Sequence, residues 1–158
     1  MRSVLLSAGG IGRIPGPAGT YASAATAALM WALAAYTTLP ALWVDLAFLF
    51  LGLCVTLLCA APPALPAGDA DPSWVVSDEV AGMALSAAVP AAWGHTGWST
   101  VAAAFVFFRV LDVWKPGPIR RAEALPGAYG ILVDDLVAGA FAGALANLLA
   151  EFRLLPFA

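Results

Sequence analysis

The residues that could do chemistry are concentrated in one stretch of the chain, residues 107–139. This stretch gathers charged side chains within an otherwise apolar sequence, namely Arg109, Asp112, Lys115, Arg120, Arg121, Glu123, Asp134 and Asp135. Ionised groups beside an apolar phase are costly unless they are paired, hydrated or bound to a metal. A solvated loop between two apolar helices is the alternative, but Arg109 and Asp112 lie within the preceding apolar pattern. We therefore interpret the stretch as a functional site.

A second acidic pair, Asp78 and Glu79, begins a short apolar segment earlier in the chain. With Asp112, Asp134 and Asp135 it gives five carboxylates and no accompanying cluster of His or Cys. Oxygen ligands suit Mg²⁺, which usually binds through a few carboxylates, water and a phosphate, and nearby Arg and Lys would neutralise phosphate oxygens. This inventory fits metal-assisted attack of water on a phosphate monoester. For the first pair, simple stabilisation of a helix N-terminus is the alternative.

The composition is that of an integral membrane protein. Of the 158 residues, 62% are hydrophobic and 11% are charged, and the mean hydropathy is +0.89. An ordinary soluble domain has about a quarter of its residues charged. The length predicts a single domain over residues 1–158. The net charge of −3 and the lack of a basic stripe argue against a nucleic-acid partner.

Apolar runs predict an all-α, integral-membrane bundle of about five to six helices. Runs near the ~20 residues that span a bilayer are separated by Gly and Pro. The clearest predicted helices are residues 21–39, 41–61, about 15 residues from Glu79, 98–114 and 136–149. A Pro-rich connector is predicted at residues 62–73, and Asp45 is expected to reach the membrane interface. The helix from Glu79 would be about 22 Å long, which is short for a membrane span.

A Gly/Pro-rich loop is predicted at residues 9–20, with Thr20 as the N-cap of the following helix. Backbone N–H groups of such a loop, followed by a helix N-terminus, can bind a phosphate. Arg13, Gly19 and Thr20 are therefore candidate phosphate-binding residues. On the loop alone, a plain turn is the more economical interpretation.

Small residues predict a close contact between two helices that carry acidic residues. Gly82 follows Asp78 by four residues, and Gly139 follows Asp135 by four, within the similar segments DEVAG and DLVAG. Glycines at this spacing let helix backbones approach closely. We therefore expect the two helices to bring Asp78 and Asp135 together.

An alternating path of the predicted helices places most of the charges on one side of the membrane. Successive crossings return the chain to its starting side at the 62–77 connector and again at the 115–134 loop. Arg13 then shares that side with the acidic and basic residues above, whereas Arg153 falls on the other. Lys and Arg mark the cytoplasmic side. We therefore predict a site that faces the cytoplasm.

Four motifs together resemble the phosphatidylglycerophosphatase A family. In chain order they read GGIGRIPGPAGT, VVSDEVAG, FFRVLDVWKPGPIRR and GAYGILVDDLVAG, and they span most of the chain. The resemblance implies a multi-pass protein of the bacterial cytoplasmic membrane with one central helix surrounded by others. It also implies Mg²⁺-dependent hydrolysis of phosphatidylglycerol phosphate to phosphatidylglycerol and phosphate, with a phospholipid substrate and membrane lipid as its partners.

The resemblance also implies roles for individual residues. The family's acidic, catalytic residues correspond to Asp78, Glu79, Asp112, Asp134 and Asp135. Within this set, the expected metal ligands are Asp78, Glu79, Asp134 and Asp135. The family's basic, phosphate-binding residues correspond to Arg109, Lys115 and Arg120.

Two other function classes are weighed against a phosphatase. A small transporter or channel should carry charges near the middle of the membrane, and often internal repeats, whereas the charges here lie at predicted helix ends. A non-catalytic lipid-binding protein would need a basic patch but no paired acids. The oligomeric state is left open.

Overall fold

The protein is described here by a computed structural model over residues 1–60, 72–126 and 128–157. Within these ranges all of the regular secondary structure is helical, as the sequence predicts. Residues 62–71 of the predicted connector lie outside the described residues. A 3₁₀ segment, Ala8–Arg13, accompanies the α-helices, which are α1 (Arg2–Leu6), α2 (Ala18–Tyr36), α3 (Ala41–Cys59), α4 (Ser77–Ala91), α5 (Trp98–Trp114), α6 (Gly117–Glu123) and α7 (Ala128–Glu151).

The loop predicted at residues 9–20 is shorter than expected. Gly9 and Gly10 have φ values of +73° and +107° inside the 3₁₀ segment, a left-handed conformation that suits glycine. The helix that follows begins at Ala18, directly after Pro17. The prediction that Thr20 is its N-cap is therefore wrong. Because the N–H groups of a first turn need no partner within the helix, α2 can start beside a proline.

Two further differences concern the region around the charged stretch. The predicted loop contains α6, whose N-cap position is Pro116 and whose first turn holds a second proline. Proline is tolerated there, although it ends the preceding helix. The last helix begins at Ala128 rather than residue 136. As a result, Asp134 and Asp135 lie in its second turn and not ahead of it.

Helix α4 lies at the centre of the bundle and packs against α2, α3, α5 and α7. Its residues Ala81, Met83 and Ala84 are fully buried. The predicted packing through glycines is confirmed: a Cβ at Gly139 would lie 2.3 Å from the carbonyl oxygen of Gly82. Backbone therefore meets backbone between α4 and α7.

Two helices within the described ranges are long and apolar enough to cross a membrane, α3 and α7. At 15 and 17 residues, α4 and α5 are shorter than the ~20 residues of a typical span. The membrane-spanning bundle of five to six helices thus stays a prediction. Asp45 lies near the start of α3 and is 5% exposed, because its side chain is buried within the bundle. Its expected position at the membrane interface stays a prediction.

Candidate functional site

Three helices, α4, α5 and α7, bring charged residues to one end of the bundle, where the uncharged start of α2 meets them. The first turns of α2 and α4 meet the last two turns of α5 and the second turn of α7, through contacts that link Gly19 to Glu79 and Glu79 to Arg109. Lys115, which follows α5, reaches Asp134 of α7. We call this group the charged cluster; its members are Asp78, Glu79, Arg109, Asp112, Lys115, Asp134 and Asp135. Residues separated by up to 57 positions in the chain thus form one site.

The carboxylate of Glu79 is held from two sides. Its Oε2 accepts hydrogen bonds from Arg109 Nη1 and from the hydroxyl of Ser23, the latter at 2.9 Å. The Ser23 hydroxyl also lies 2.7 Å from the carbonyl oxygen of Gly19. A Cβ at Gly19 would lie 1.8 Å from Glu79 Oε1. Position 19 is therefore glycine because the carboxylate occupies the space that a side chain would need.

Arg109 bridges two carboxylates. Besides Glu79, its Nη1 contacts Oδ2 of Asp112 at 2.9 Å, one turn further along α5. All three side chains are largely shielded from solvent, with relative exposures of 12–15%. The Nε of Arg109 is buried and makes no hydrogen bond within the described part of the chain. A buried donor of this kind is uncommon unless a ligand or water completes it.

Lys115 ties the end of α5 to two other helices. Its φ of +46° ends α5 in the left-handed conformation, and its Nζ lies 2.8 Å from Glu123 Oε1 and 2.7 Å from Asp134 Oδ2. Burial opposes the positive charge, but the hydrogen bonds to Asp134 and Glu123 outweigh it and raise the pKa of Lys115 above its usual value. The ammonium group therefore stays charged at physiological pH.

Three carboxylates of the cluster have the spacing of a metal site. Asp112, Asp134 and Asp135 each offer an oxygen, and these atoms lie within 4.8 Å of one another. Asp134 and Asp135 are each 3% exposed. Oδ2 of Asp135 is buried and has no hydrogen-bond partner among the described residues. Converging buried carboxylates repel one another unless a cation or protons offset their charge, so this donor set fits a hard divalent cation.

The expected metal set was Asp78, Glu79, Asp134 and Asp135, and the structure groups these residues differently. Asp134 and Asp135 converge with Asp112, whereas Glu79 is directed to Arg109 and Ser23. Asp78 is 6% exposed, and a Cβ at Gly82, one turn after it, would lie 2.8 Å from the backbone oxygen of Asp135. Asp78 and Asp135 are thus brought together as expected, while their roles stay predictions.

The remaining candidates lie at the edge of this group or apart from it. Arg13 is exposed, and its guanidinium carbon lies 6.0 Å from the centre of the Trp74 ring. Arg120 is exposed on α6, and neither arginine forms an ion pair within the described ranges. Thr20 is partly buried in the first turn of α2. Phosphate binding by these residues and by Gly19 stays a prediction.

Sequence reasoning did not single out two residues that contact the cluster. Ser23 is fully buried against Glu79, and it lies four residues after Gly19 in an Ala-rich helix. A polar residue on that helix face was the available signal. Glu123 and Asp134 both contact Nζ of Lys115. No sequence signal distinguished Glu123 from the neighbouring surface charges, because its contact with Lys115 depends on helix α6, which was not predicted.

Fold and site together define an all-α protein with an oxygen-rich, acidic site at one end of a helical bundle. Comparison with known families identifies the family within this class of protein. The chain belongs to the phosphatidylglycerophosphatase A family, whose profile matches residues 4–150.

Two individual relatives carry the name of this family. The chain is 41% identical to phosphatidylglycerophosphatase A of Escherichia coli K12 over 56% of its own length and 51% of that protein. It is 36% identical to the Haemophilus influenzae protein of the same name, over 64% of this chain and 62% of that one. A Bacteroides thetaiotaomicron protein with the provisional name phosphatidylinositol-3-phosphatase is 36% identical over 87% of both chains. The match thus spans about half of the E. coli relative, and no solved structure matches the chain.

Proposed function

We propose that this protein is a Mg²⁺-dependent lipid phosphatase that converts phosphatidylglycerol phosphate to phosphatidylglycerol and inorganic phosphate. The observation that carries the proposal is the charged cluster. It combines three carboxylates whose oxygens lie within 4.8 Å of one another with two cations, Arg109 and Lys115. Two relatives are named phosphatidylglycerophosphatase A, which supports the choice of substrate.

Asp112, Asp134 and Asp135 would hold the metal, with Asp78 beside them. When bound, Mg²⁺ supplies charge neutralisation at the phosphate oxygens and lowers the pKa of a bound water. The unpartnered Oδ2 of Asp135 and the proximity of the three oxygens support this assignment.

The basic residues would bind and orient the phosphate group. Arg109 has an unused buried Nε–H, and Lys115 keeps its ammonium charge. Glu79 would act through Arg109, because its carboxylate contacts the guanidinium and is itself fixed by Ser23. An arginine restrained in this way needs little reorganisation when it meets the phosphate.

The reaction itself is a hydrolysis. Water attacks the phosphorus, and a carboxylate of the cluster accepts its proton. The bond between phosphorus and the glycerol oxygen breaks, and that oxygen takes up the proton. Positioning and electrostatic stabilisation are the main contributions a protein makes to such a transfer.

A position in the bacterial cytoplasmic membrane, with the site facing the cytoplasm, completes the proposal. Helices α3 and α7 are long and apolar enough to span a bilayer. Large apolar side chains are exposed on the outer faces of three helices, among them Phe50, Leu58, Val110, Phe141 and Leu148. Exposed apolar surface on this scale is expected where lipid covers it.

A second substrate is favoured by one relative. The Bacteroides thetaiotaomicron protein covers more of this chain than the two other relatives, and its provisional name specifies a phosphatidylinositol 3-phosphate. Both candidate substrates are phosphate monoesters of a lipid head group, so the same cluster could act on either. The difference lies in the group that carries the phosphate.

The test is phosphate release by the purified protein in detergent, with phosphatidylglycerol phosphate and phosphatidylinositol 3-phosphate compared. We expect release from the first lipid with Mg²⁺, and none in EDTA. Glu151→Gln is the matched control, because this exposed carboxylate contacts His95 and is on the same helix as Asp135; it should retain activity that Asp135→Asn loses. Binding of the lipid without any release of phosphate would instead favour a lipid-binding protein, and full activity in EDTA would overturn the metal role.

A further inference from the structure

An apolar groove lies between α2 and α5 on the outside of the bundle. Its volume is about 390 Å³. On α2 it is bordered by Ala24, Ala28 and Trp31, and on α5 by Trp98, Ala102 and Phe105. The three alanines are exposed, so their small side chains leave space that opens to the surroundings.

One end of the groove is directed toward the charged cluster. The two helices run in opposite directions, since the start of α2 and the end of α5 both reach the cluster. Arg109 follows Phe105 by four residues and lies on the same face of α5. Thr20 precedes Ala24 by four residues and lies on the same face of α2. A step of four residues is about 6 Å along a helix. The near end of the groove is thus one helical turn from two candidate phosphate-binding residues.

We propose that this groove binds one acyl chain of the phospholipid substrate while its phosphate group occupies the charged cluster. This inference rests on the proposed function. A lipid that bears a terminal phosphate presents the two chemistries found here in the right order: an anion at Arg109 and a hydrocarbon chain along the adjacent apolar walls. A lipid with no phosphate monoester has no comparable attraction to Arg109.

The dimensions of the groove suit a hydrocarbon chain. From Trp98 to Phe105 the groove extends about 10 Å along the helix axis. A single acyl chain of a lipid is thin enough for a groove that is bordered by the side chains of only two helices.

The groove would act by positioning the substrate. Lipid tails are as apolar as the groove walls, so transfer of a chain from the bilayer adds little affinity. A chain held between α2 and α5 would instead fix the direction from which the head group approaches. Misplacement of a substrate by about 1 Å can cost about a hundredfold in rate.

The kinetic test fills the groove and compares two substrates. Ala28→Phe and Ala102→Phe place a large side chain in it, whereas Ala25→Phe adds the same side chain at an exposed position of α2 that does not border the groove. With long-chain phosphatidylglycerol phosphate, we expect kcat/KM to fall about tenfold or more in the first two variants. With glycerophosphoglycerol phosphate, the deacylated head group, it should change less than about twofold, because no chain has to be positioned.

Other outcomes of this test overturn the proposal. Unchanged hydrolysis of the long-chain substrate in both filled variants would do so. Equal losses with both substrates would also do so, because they would indicate distortion of the site. A wild-type protein that hydrolyses neither substrate would refute the proposed function itself, which is a separate result.

A binding test does not depend on turnover. The probe is a lipid with a photoactivatable group on one acyl chain and a non-hydrolysable phosphonate head group. We expect cross-links in residues 24–31 or 98–105, and fewer of them in Ala102→Phe. A choline lipid with the same labelled chain is the control: equal labelling by it would mean that the groove takes bulk lipid, and labelling elsewhere would mean that the chain does not use it.

Discussion

Replacement of Gly139 by alanine tests whether the contact between α4 and α7 positions the acidic residues. Gly139 stands one turn after Asp135, and it faces Gly82, which stands one turn after Asp78. A Cβ at position 139 would lie 2.3 Å from the carbonyl oxygen of Gly82 and 3.3 Å from its Cα. Because both obstructing atoms belong to the backbone, no side chain can move aside, and the helices must separate.

The size of the effect follows from these distances. Ordinary contact requires about 3.5 Å, so the helices must separate locally by about 1 Å. Overpacking of this kind typically costs about 1–3 kcal/mol of stability. The shift occurs one turn from Asp78 and Asp135, and a displacement of about 1 Å can cost about a hundredfold in rate. We therefore expect a large loss of activity with a modest loss of stability.

Two alanine substitutions serve as matched controls. Gly143→Ala introduces a Cβ 2.7 Å from the carbonyl oxygen of Ser86, one turn further from the acids, and should lower stability similarly but activity less. Gly117→Ala meets no atom within 4 Å and should change neither. The assay pairs phosphate release with thermal unfolding in detergent. A Gly139→Ala protein with wild-type rate and unfolding temperature would refute the close approach of α4 and α7.

Three further substitutions probe the surroundings of the site. Gly19→Ala should lower kcat by about tenfold or more, because its Cβ would lie 1.8 Å from Glu79 Oε1 and displace that carboxylate; thermal unfolding should show a folded protein. Lys115→Met removes a contact of 2.7 Å to buried Asp134 and should destabilise the protein by about 1–3 kcal/mol in denaturant unfolding. Because the pKa of Lys115 is raised, its stabilising contribution should be fully present at neutral and mildly alkaline pH, below the ordinary pKa of lysine, and be lost only as the pH rises through the elevated pKa. Asp45→Asn should leave activity nearly intact in the phosphate-release assay, because Asp45 is not a member of the charged cluster. It is buried in α3, about seven residues before Gly52, where α3 contacts α4.

The sequence predicts best the helices that have a helix-terminating residue, such as Gly or Pro, at both ends. Helix α5 spans Trp98–Trp114 as expected, because Gly97 precedes it and Lys115–Pro116 ends it. Helix α7 starts earlier than its apolar pattern indicates, because Asp134 and Asp135 interrupt that pattern. Their charges are accommodated by Lys115 and by neighbouring helices, and a one-dimensional pattern cannot include such partners.

The same limit applies to the site. The identity of the charged residues and their convergence could be predicted, because helix direction alternates and the glycines of α4 and α7 specify their contact. The division of roles could not. Adjacent residues on a helix point about 100° apart, but this angle alone does not separate their roles. Asp134 and Asp135 are adjacent and both converge with Asp112, whereas Glu79, adjacent to Asp78, meets Ser23 and Arg109. Only the packing of α2 on α4 reveals this.

Metal binding measured directly, without substrate, tests the central claim that Asp112, Asp134 and Asp135 form a site for a divalent cation. Titration of the purified protein with Mn²⁺, followed by electron paramagnetic resonance, would compare wild type with Asp135→Asn and Glu151→Gln. We predict that Asp135→Asn weakens binding at least about tenfold, as loss of a ligand should exceed the ~10–100-fold effect of its supporting partners. Glu151→Gln should match wild type. Equal affinity of wild type and Asp135→Asn would contradict the site.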